Sequence, residues 1–363
     1  MARIAVAMSG GVDSSTAAAL LQEEGHEVVG LTLQLWDHSE LNLASGKGRC
    51  CSPADIADAR AVSAALDIPH YVFDHSDGFM SSIVEPFVRA YSEGLTPSPC
   101  IRCNRLVKFD LLGRIARGLD AEMLATGHYA QLALEGDRPR LSKAKDREKD
   151  QSYFLFDVPI RQLANVCFPL GDLSKDEVRT TAARFGLTVA RKSESYELCF
   201  IPDDDKNAFL EERMETPLQE RQGSIRGVAG ELLGSHDGLH RFTIGQRRGL
   251  GVTSNDPLYV IDLDAESRTV TVGPAKCLES RGLIAMDCNW ISVPEPEEPV
   301  TVAARIRHRH EEATATLTPI GEGRFEVRFD VVERAVTPGQ GVAFYDGDLL
   351  LGGGWIEKSL VEE

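Results

Sequence analysis

The feature that most constrains this chain is a short loop, Ser9-Gly10-Gly11-Val12-Asp13-Ser14, between two differently patterned segments. The apolar run at residues 4–8 is typical of a buried strand, and the Ala- and Leu-rich run at residues 14–24, followed by Gly25, predicts a helix. Glycines let a backbone approach an anion closely, and the first turn of a helix offers unpaired N–H groups. The loop therefore predicts a phosphate-binding site, with a plain Gly-Gly turn capped by Asp13 as the structural alternative.

The loop is not a Walker loop, because it has no lysine where that motif requires one. Asp13 is unusual in an anion site, and its carboxylate suits a Mg²⁺ ion held against a leaving pyrophosphate. The hexapeptide resembles the signature of the ATP pyrophosphatase, or PP-loop, family, whose members split ATP between its α and β phosphates and adenylate an oxygen.

The resemblance implies ATP and Mg²⁺ as cofactors and a catalytic role for Asp13. It implies ATP contacts at Ala7, Met8, Ser9, Gly10, Gly11, Val12, Asp13, Ser14, Leu33 and Gly127. For Leu33, an ordinary place in the core of the second strand is an equal alternative.

Strand and helix patterns alternate up to about residue 200, which predicts an α/β domain with a doubly wound parallel sheet. Ligands of such sheets bind at the carboxyl ends of the strands. Beyond Pro202, short strands punctuated by glycines favour an all-β fold. We expect a PP-loop domain at 1–205, a small central module at 206–275 and a C-terminal β-barrel at 276–363.

With 42% hydrophobic and 26% charged residues, the 363-residue chain has the composition of a globular protein. It shows no secretory signal and no apolar run near the roughly 20 residues that span a bilayer, so we expect a cytoplasmic protein without membrane contact. The net charge of −17 disfavours nucleic acid unless basic residues form local patches. One such cluster, residues 305–310, holds three arginines and two histidines without an acid between them, although a solvated strand face would look the same.

Five of the eight cysteines have a structural interpretation. In a reducing compartment, cysteines are either small buried side chains or reactive or metal-binding groups. Cys167, Cys277 and Cys288 have apolar neighbours, which favours the core. The vicinal pair Cys50-Cys51 is a poor ligand set, and we interpret it as structural or incidental.

The remaining cysteines favour chemistry. Cys100 and Cys103 belong to a proline-stiffened loop, Thr96–Asn104, and nearby cations favour thiolates there. Cys199 alone would be a core residue, but its presence beside a phosphate loop and a Cys-x-x-Cys pair favours a reactive thiol. The cations near the pair are Arg102, Arg105 and Lys108.

Several motifs in a fixed order resemble those of bacterial tRNA-specific 2-thiouridylases, and the similarity covers almost the whole chain. They are Thr96–Asn104, Ala125–Tyr129, Lys149–Tyr153, Leu198–Ile201, Thr243–Leu250, Thr337–Gln340 and Leu351–Gly354. This family transfers sulfur to carbon 2 of the wobble uridine of certain tRNAs.

The resemblance implies that Cys199 receives sulfur as a persulfide from a donor or relay protein. ATP would adenylate the 2-oxygen of the uridine, and sulfur would then displace AMP. Cys103 would be the second catalytic thiol, which releases the sulfur and forms a transient disulfide with Cys199. Two thiols can deliver sulfur by thiol–disulfide exchange, which a single thiol cannot do.

The implied partner is the anticodon loop of tRNA, whose target base must leave its stack to react. We expect tRNA contacts in the catalytic domain, the central module and the barrel. The candidate residues are Ser98, Pro99, Cys100, His128, Lys149, Asp150, Gln151, Arg305, Arg307 and Gln340. For His128, capping of the preceding strand is the alternative.

One departure from the family leaves a second route open, because many relatives have Asp where this chain has Cys100. Cys100, Cys103 and Cys199 would supply three thiolates for an iron–sulfur cluster. Two other functions also stay open: a PP-loop ligase that adenylates a carboxylate or small molecule for attack by ammonia, and a non-enzymatic, ATP-gated RNA-binding module.

Overall fold

The computed structural model describes residues 1–36, 52–193, 198–201 and 204–360. The pair Cys50-Cys51 lies outside these ranges. None of the helices within them combines the length and apolar character needed to cross a bilayer.

The N-terminal part of the chain alternates strands and helices as expected. Its strands are β1 (Arg3–Ala7), β2 (Glu27–Gln34), β3 (His70–Asp74), β4 (Met123–Ala125), β5 (Ala130–Glu135), β6 (Arg138–Lys143) and β7 (Val166–Cys167). Its helices are α1 (Val12–Glu23), α2 (Pro53–Ala65), α3 (Ser76–Phe79), α4 (Glu85–Ser92), α5 (Pro99–Cys103), α6 (Leu112–Gly118), α7 (Ile160–Leu163) and α8 (Lys175–Arg184). Two π-helical segments, Met80–Val84 and Asn104–Leu111, join α3 to α4 and α5 to α6.

The N-terminal sheet is parallel, with the strand order β3-β2-β1-β4-β7. Successive side chains of β1 enter two separate cores, as the two-residue period of a strand requires. Ala5 packs with residues of α3 to α6, whereas Ile4 and Val6 pack with α1, α2 and α8. Because helices cover both faces, the predicted doubly wound parallel sheet is confirmed.

The strand order reverses direction at β1. From β1 the chain proceeds through β2 to β3 on one side, and β4 then pairs with the other side of β1. Ligands of open α/β sheets bind in the crevice at such a switch point, outside the carboxyl ends of the strands. The carboxyl ends of β1 and β4 are Ala7 and Ala125, directly before the predicted phosphate loop and Gly127.

Both cysteines of the Cys-x-x-Cys pair lie in a helix. The expected loop Thr96–Asn104 is wrong from Pro99 onward, because α5 begins there and continues through the π-helical segment into α6. Proline at the first helical position has a preset φ and needs no amide partner. Ile101 and Cys103 are buried, so the start of this helix is anchored in the core.

A small central module follows, with α9 (Lys206–Arg213), α10 (Leu218–Arg221), β8 (Gly223–Gly227), β9 (Leu232–His236), β10 (Tyr259–Asp264) and β11 (Thr269–Gly273). Its sheet has the order β10-β11-β8-β9. Ile225, Phe242, Val260 and Val270 belong to a core of its own.

The C-terminal strands are β12 (Glu279–Trp290), β13 (Val300–Arg305), β14 (Ala313–Gly321), β15 (Arg324–Arg334), β16 (Gly341–Asp346) and β17 (Leu349–Leu360). They are antiparallel in the order β12-β15-β14-β13-β16-β17, and pairing of β12 with β17 closes the predicted barrel. Glycine is required at Gly353 of β17, because a Cβ atom there would lie 2.6 Å from Cγ of Phe156. The barrel therefore packs closely on the N-terminal domain at this strand.

The β5–β6 hairpin joins these two parts of the chain. It leaves the N-terminal domain after β4 and extends the barrel sheet beside β17, where Leu349 pairs with Ser142. The division at residue 205 therefore does not separate two independent sheets.

Candidate active site

The phosphate loop connects β1 to α1, and its backbone requires glycine. Gly10 has φ +71°, and a Cβ atom there would clash with the carbonyl oxygen of Asp55. The N-cap of α1 is Gly11, which has no side chain to occupy the first amides of the helix. The start of α1 therefore presents N–H donors and the positive end of its dipole at the switch point.

The carbonyl oxygen of Gly10 accepts a hydrogen bond from Lys192, a contact that the sequence did not predict. The ammonium of Lys192 donates to Gly10 O at 3.0 Å and to the carboxylates of Asp55 and Asp58 at 2.7 and 2.6 Å. Lys192 thus ties the loop to the first turns of α2.

A cavity opens at the carboxyl ends of β1, β2 and β4. Seven of the predicted ATP contacts line it: Ala7, Met8, Ser9, Asp13, Ser14, Leu33 and Gly127. The other three predicted contacts do not line it; they are Gly10, Gly11 and Val12. Val12, at the start of α1, is buried in the hydrophobic core. Leu33 is both a cavity wall and a buried core residue.

Glycine is required at position 127, where the chain after β4 passes close to the start of α1. A Cβ atom at this position would lie 2.7 Å from the amide nitrogen of Ser14 and 3.0 Å from Cβ of Asp13. The strand end after β4 therefore approaches the start of α1 as closely as glycine permits.

Asp13 is paired with Lys175. The ammonium of Lys175, at the start of α8, donates to Oδ1 and Oδ2 of Asp13 at 2.8 Å each. The hydroxyl of Tyr129 donates to Oδ1 at 2.7 Å. Lys175 was missed at the sequence level, and the one available signal was a lysine in the first turn of a helix, where the helix dipole disfavours a cation.

His128 borders the same cavity. It is buried, its Nδ1 lies 2.7 Å from the hydroxyl of Thr126, and its Nε2 lies 3.4 Å from Nζ of Lys108. Burial, with a smaller contribution from Lys108, holds the pKa of His128 well below its usual value. A neutral ring that accepts from Lys108 at Nε2 has its proton on Nδ1, toward Thr126.

The two candidate catalytic thiols pack on one hydrophobic core. Cys103 is buried, whereas Cys100 and Cys199 are half-buried. Phe200, next to Cys199, anchors its segment by edge-to-face contacts with Phe79 and Phe87, whose ring centroids are 5.9 and 5.2 Å away.

The three thiols do not form a ready metal site. Among the residues that the structure describes, which include all three, no group of three or more His, Cys, Asp or Glu side chains could hold a metal ion. The arrangement therefore does not fit an iron–sulfur cluster, and we derive no step through one.

Comparisons with known proteins identify the family. Consecutive parts of the chain match three family descriptions: tRNA methyl transferase HUP domain at residues 2–203, tRNA methyl transferase PRC-barrel domain at 207–274 and Aminomethyltransferase beta-barrel domain at 280–356. The tRNA-specific 2-thiouridylase MnmA of Geotalea uraniireducens is 50% identical over 99% of this chain and 96% of its own. The chain belongs to the tRNA-specific 2-thiouridylase family.

Two further relatives of this name show the same full-length match. The one from Geobacter metallireducens is 49% identical over 99% of this chain and 98% of its own. The one from Magnetococcus marinus is 46% identical over 98% of each chain. The family membership expected from the motifs is therefore confirmed.

Two residues of this thiouridylase that are expected to contact tRNA also contact each other. Asp150 is buried, and its Oδ2 accepts from Nη1 of Arg305 at 3.2 Å. The Asp150 carboxylate also accepts from the amide and the hydroxyl of Ser152, at 3.2 and 2.9 Å. The Arg305 side chain is 14% exposed, and its pair with Asp150 joins the catalytic domain to the barrel.

Two further tRNA candidates, Arg307 and Gln340, differ in exposure: Arg307 is exposed to solvent, whereas Gln340 is half-buried. Arg307 is exposed beyond the end of β13, as a phosphate contact requires. Gln340 donates from Nε2 to the carbonyl oxygen of Thr96 at 2.7 Å, so it holds the segment before α5.

The remaining tRNA candidates lie around the two ends of the cysteine helix. Gln151 lines the ATP cavity with His128, and Lys149 is half-buried nearby in sequence. Ser98 and Pro99 line a second cavity, of about 750 Å³, between α4, α5 and the barrel.

Proposed function

We propose that this chain is a tRNA 2-thiouridylase that uses ATP to adenylate the 2-oxygen of a uridine and then replaces that oxygen with sulfur. The observation that carries the proposal is the position of Cys103. Val107 and Lys108 line the ATP cavity, and they follow Cys103 in the same helix. Val107 follows Cys103 by four residues, which is about one helical turn, so both side chains lie near the same face of the helix.

The cavity supports adenylation. The amides at the start of α1 and the hydroxyls of Ser9 and Ser14, which line the cavity, would donate to a polyphosphate bound there. Among the described residues that line the cavity, Asp13 is the one carboxylate, and since it is partly exposed it would hold a Mg²⁺ ion that accompanies ATP. When bound, Mg²⁺ would offset the charge of the leaving pyrophosphate. Lys108, which also lines the cavity, supplies a positive charge there.

We assign the sulfur transfer to Cys199 and Cys103. A relay protein would pass a persulfide to Cys199. The thiolate of Cys103 attacks Sγ of Cys199, the S–S bond to the terminal sulfur breaks, and hydrosulfide leaves with the electron pair. Hydrosulfide then attacks carbon 2 of the adenylated uridine and expels AMP. The Cys103–Cys199 disulfide needs two electrons from an external dithiol before the next cycle.

The matched family descriptions refer to methyl transfer, whereas the names of the relatives refer to thiolation. Two cysteines, Cys103 and Cys199, that pack on one core in a domain with a loop suited to ATP favour thiolation. The same thiols favour a cytoplasmic location, where they stay reduced between cycles.

Mass spectrometry of nucleosides tests the proposal. tRNA is incubated with the protein, ATP and a persulfide donor, and 2-thiouridine is quantified. We expect product with the wild type and with Cys277→Ser, a control cysteine between the last strand of the central module and the first strand of the barrel, and none with Cys199→Ser or Cys103→Ser. Product formation that is unaffected by Cys199→Ser would contradict the assignment.

A further inference from the structure

A carboxylate in a phosphate loop presents an electrostatic problem. Asp13 lies in the first turn of α1, and 32% of its side chain is exposed beside the cavity. An uncompensated negative charge there would repel the polyphosphate that the α1 amides attract. The loop therefore needs a cation close to Asp13 before any metal ion arrives.

Lys175 supplies that cation, and it is not among the residues that line the cavity. Its side chain is 10% exposed, and its ammonium is equidistant from both oxygens of Asp13, at 2.8 Å. Because the lysine is buried behind the carboxylate, it acts on a ligand through Asp13 rather than by contact.

The backbone around Lys175 is fixed as well. Ser174 caps α8 in a capping box with Glu177, and the amide of Lys175 donates to Oδ2 of Asp146 at 2.9 Å. The ammonium also lies 5.5 Å from the ring centroid of Tyr129, whose hydroxyl donates to Asp13. The cation is thus held in one place at a helix start where its charge is otherwise unfavourable.

We propose that Lys175 is a positioning residue that neutralises and orients Asp13, so that the loop binds the pyrophosphate part of ATP without depending on a metal ion. The inference deepens the proposed function, because it assigns the charge balance of the ATP site. It does not depend on the later sulfur chemistry.

Calorimetric titration with inorganic pyrophosphate tests this, in EDTA and again with Mg²⁺. In EDTA we expect Lys175→Met to lose at least about tenfold in affinity, the order expected when one charged hydrogen-bonded partner is removed. Mg²⁺ should restore part of the loss, because it can neutralise Asp13 instead. Lys175→Arg should retain most of the affinity. Arg184→Met is the matched control, since Arg184 of α8 pairs with Glu23 of α1 on the exposed surface.

The double variant Asp13→Asn with Lys175→Met separates charge from structure. If Lys175 acts by neutralising Asp13, removing both charges restores pyrophosphate affinity in EDTA above that of Lys175→Met alone. Equal losses in EDTA and Mg²⁺, with no recovery in the double variant, would mean that Lys175 only joins α8 to α1, and would overturn the proposal. Since no thiolation is measured, this outcome is distinct from a failure of the proposed function.

Discussion

Gln340 of the barrel donates from Nε2 to the carbonyl oxygen of Thr96, 2.7 Å away and 244 residues earlier in the chain. Next to it, the amide of Thr96 donates to the carbonyl oxygen of Pro338 at 3.3 Å. These two bonds fix the chain just before Pro99, where the helix that carries Cys103 begins. The barrel thus positions the cysteine helix of another domain.

Replacement of Gln340 by alanine should loosen the segment before α5. One neutral hydrogen bond contributes about 1 kcal/mol to stability, so we expect a small fall in Tm. Thiolation should fall more than stability does, because the position of Cys103 depends on this segment. Hydrogen exchange of residues 95–103 checks the cause and should become faster in the variant.

Gln131→Ala is the control, since the side-chain amide of Gln131 donates to Asp172 on an exposed surface. If Gln340→Ala lowers tRNA affinity while exchange of residues 95–103 stays at the wild-type rate, Gln340 is a direct tRNA contact and the positional role is incorrect.

Arg305 and Arg307 should have different effects when replaced. Arg305→Ala leaves the buried Asp150 carboxylate without its cation, which typically costs about 3–5 kcal/mol of stability. Arg307→Ala should leave the free energy of unfolding nearly unchanged and weaken tRNA binding. Each lost phosphate contact reduces the slope of log affinity against log salt by roughly 0.7–0.9. Urea unfolding and tRNA binding at several salt concentrations measure the two effects.

Arg328→Ala provides a surface control, because Arg328 is exposed on β15 and pairs with its near neighbour Glu326. A salt slope that changes for Arg305→Ala but not for Arg307→Ala would reverse the two assignments.

The N-terminal parallel sheet and the position of the phosphate loop at its edge were predictable because their signals are local. The strand before Ser9, the glycines at positions 10 and 11 and the helix after them occupy one stretch of chain, and parallel topology gathers strand ends at one edge. The capping box of α2, formed by Ser52 and Asp55, is an equally local feature.

The partners of charged side chains were not predictable, since they depend on contacts across the fold. Lys175 meets Asp13 from 162 residues away, and Arg305 meets Asp150 from 155 residues away. The sequence shows which residues are charged, but it does not show which residue each of them pairs with in the folded protein. The helical start at Pro99 was missed for a different reason: proline and the preceding Thr96–Ser98 favour a turn as well as a helix N-terminus.

Gly127→Ala should close the ATP site. The added methyl group would lie 2.7 Å from the amide nitrogen of Ser14, so α1 or the end of β4 must move. We expect at least about a tenfold loss of ATP affinity, with about 1–3 kcal/mol of lost stability from overpacking. Gly118→Ala is the matched control, because a Cβ atom there meets nothing within 4 Å. Titration with a non-hydrolysable ATP analogue measures both variants, and wild-type affinity for Gly127→Ala would rule out this cavity as the site.

Asp157 should make stability depend on pH. Its carboxylate accepts from Arg105 at 2.8 Å, but burial raises its pKa from 3.8 to about 6. Between these values the folded protein holds a proton that the unfolded chain has lost, so stability falls as pH rises from about 4 to 6. The full effect is about 3 kcal/mol, and it is already complete at pH 7.

Urea unfolding at pH 4.5 and 7 should therefore show that Asp157→Asn gains stability relative to wild type at the higher pH. Asp110→Asn, in an exposed pair with Arg114, should show no such gain. A constant difference between wild type and Asp157→Asn across this range would mean that Asp157 is ionised throughout, held by Arg105 against the cost of burial.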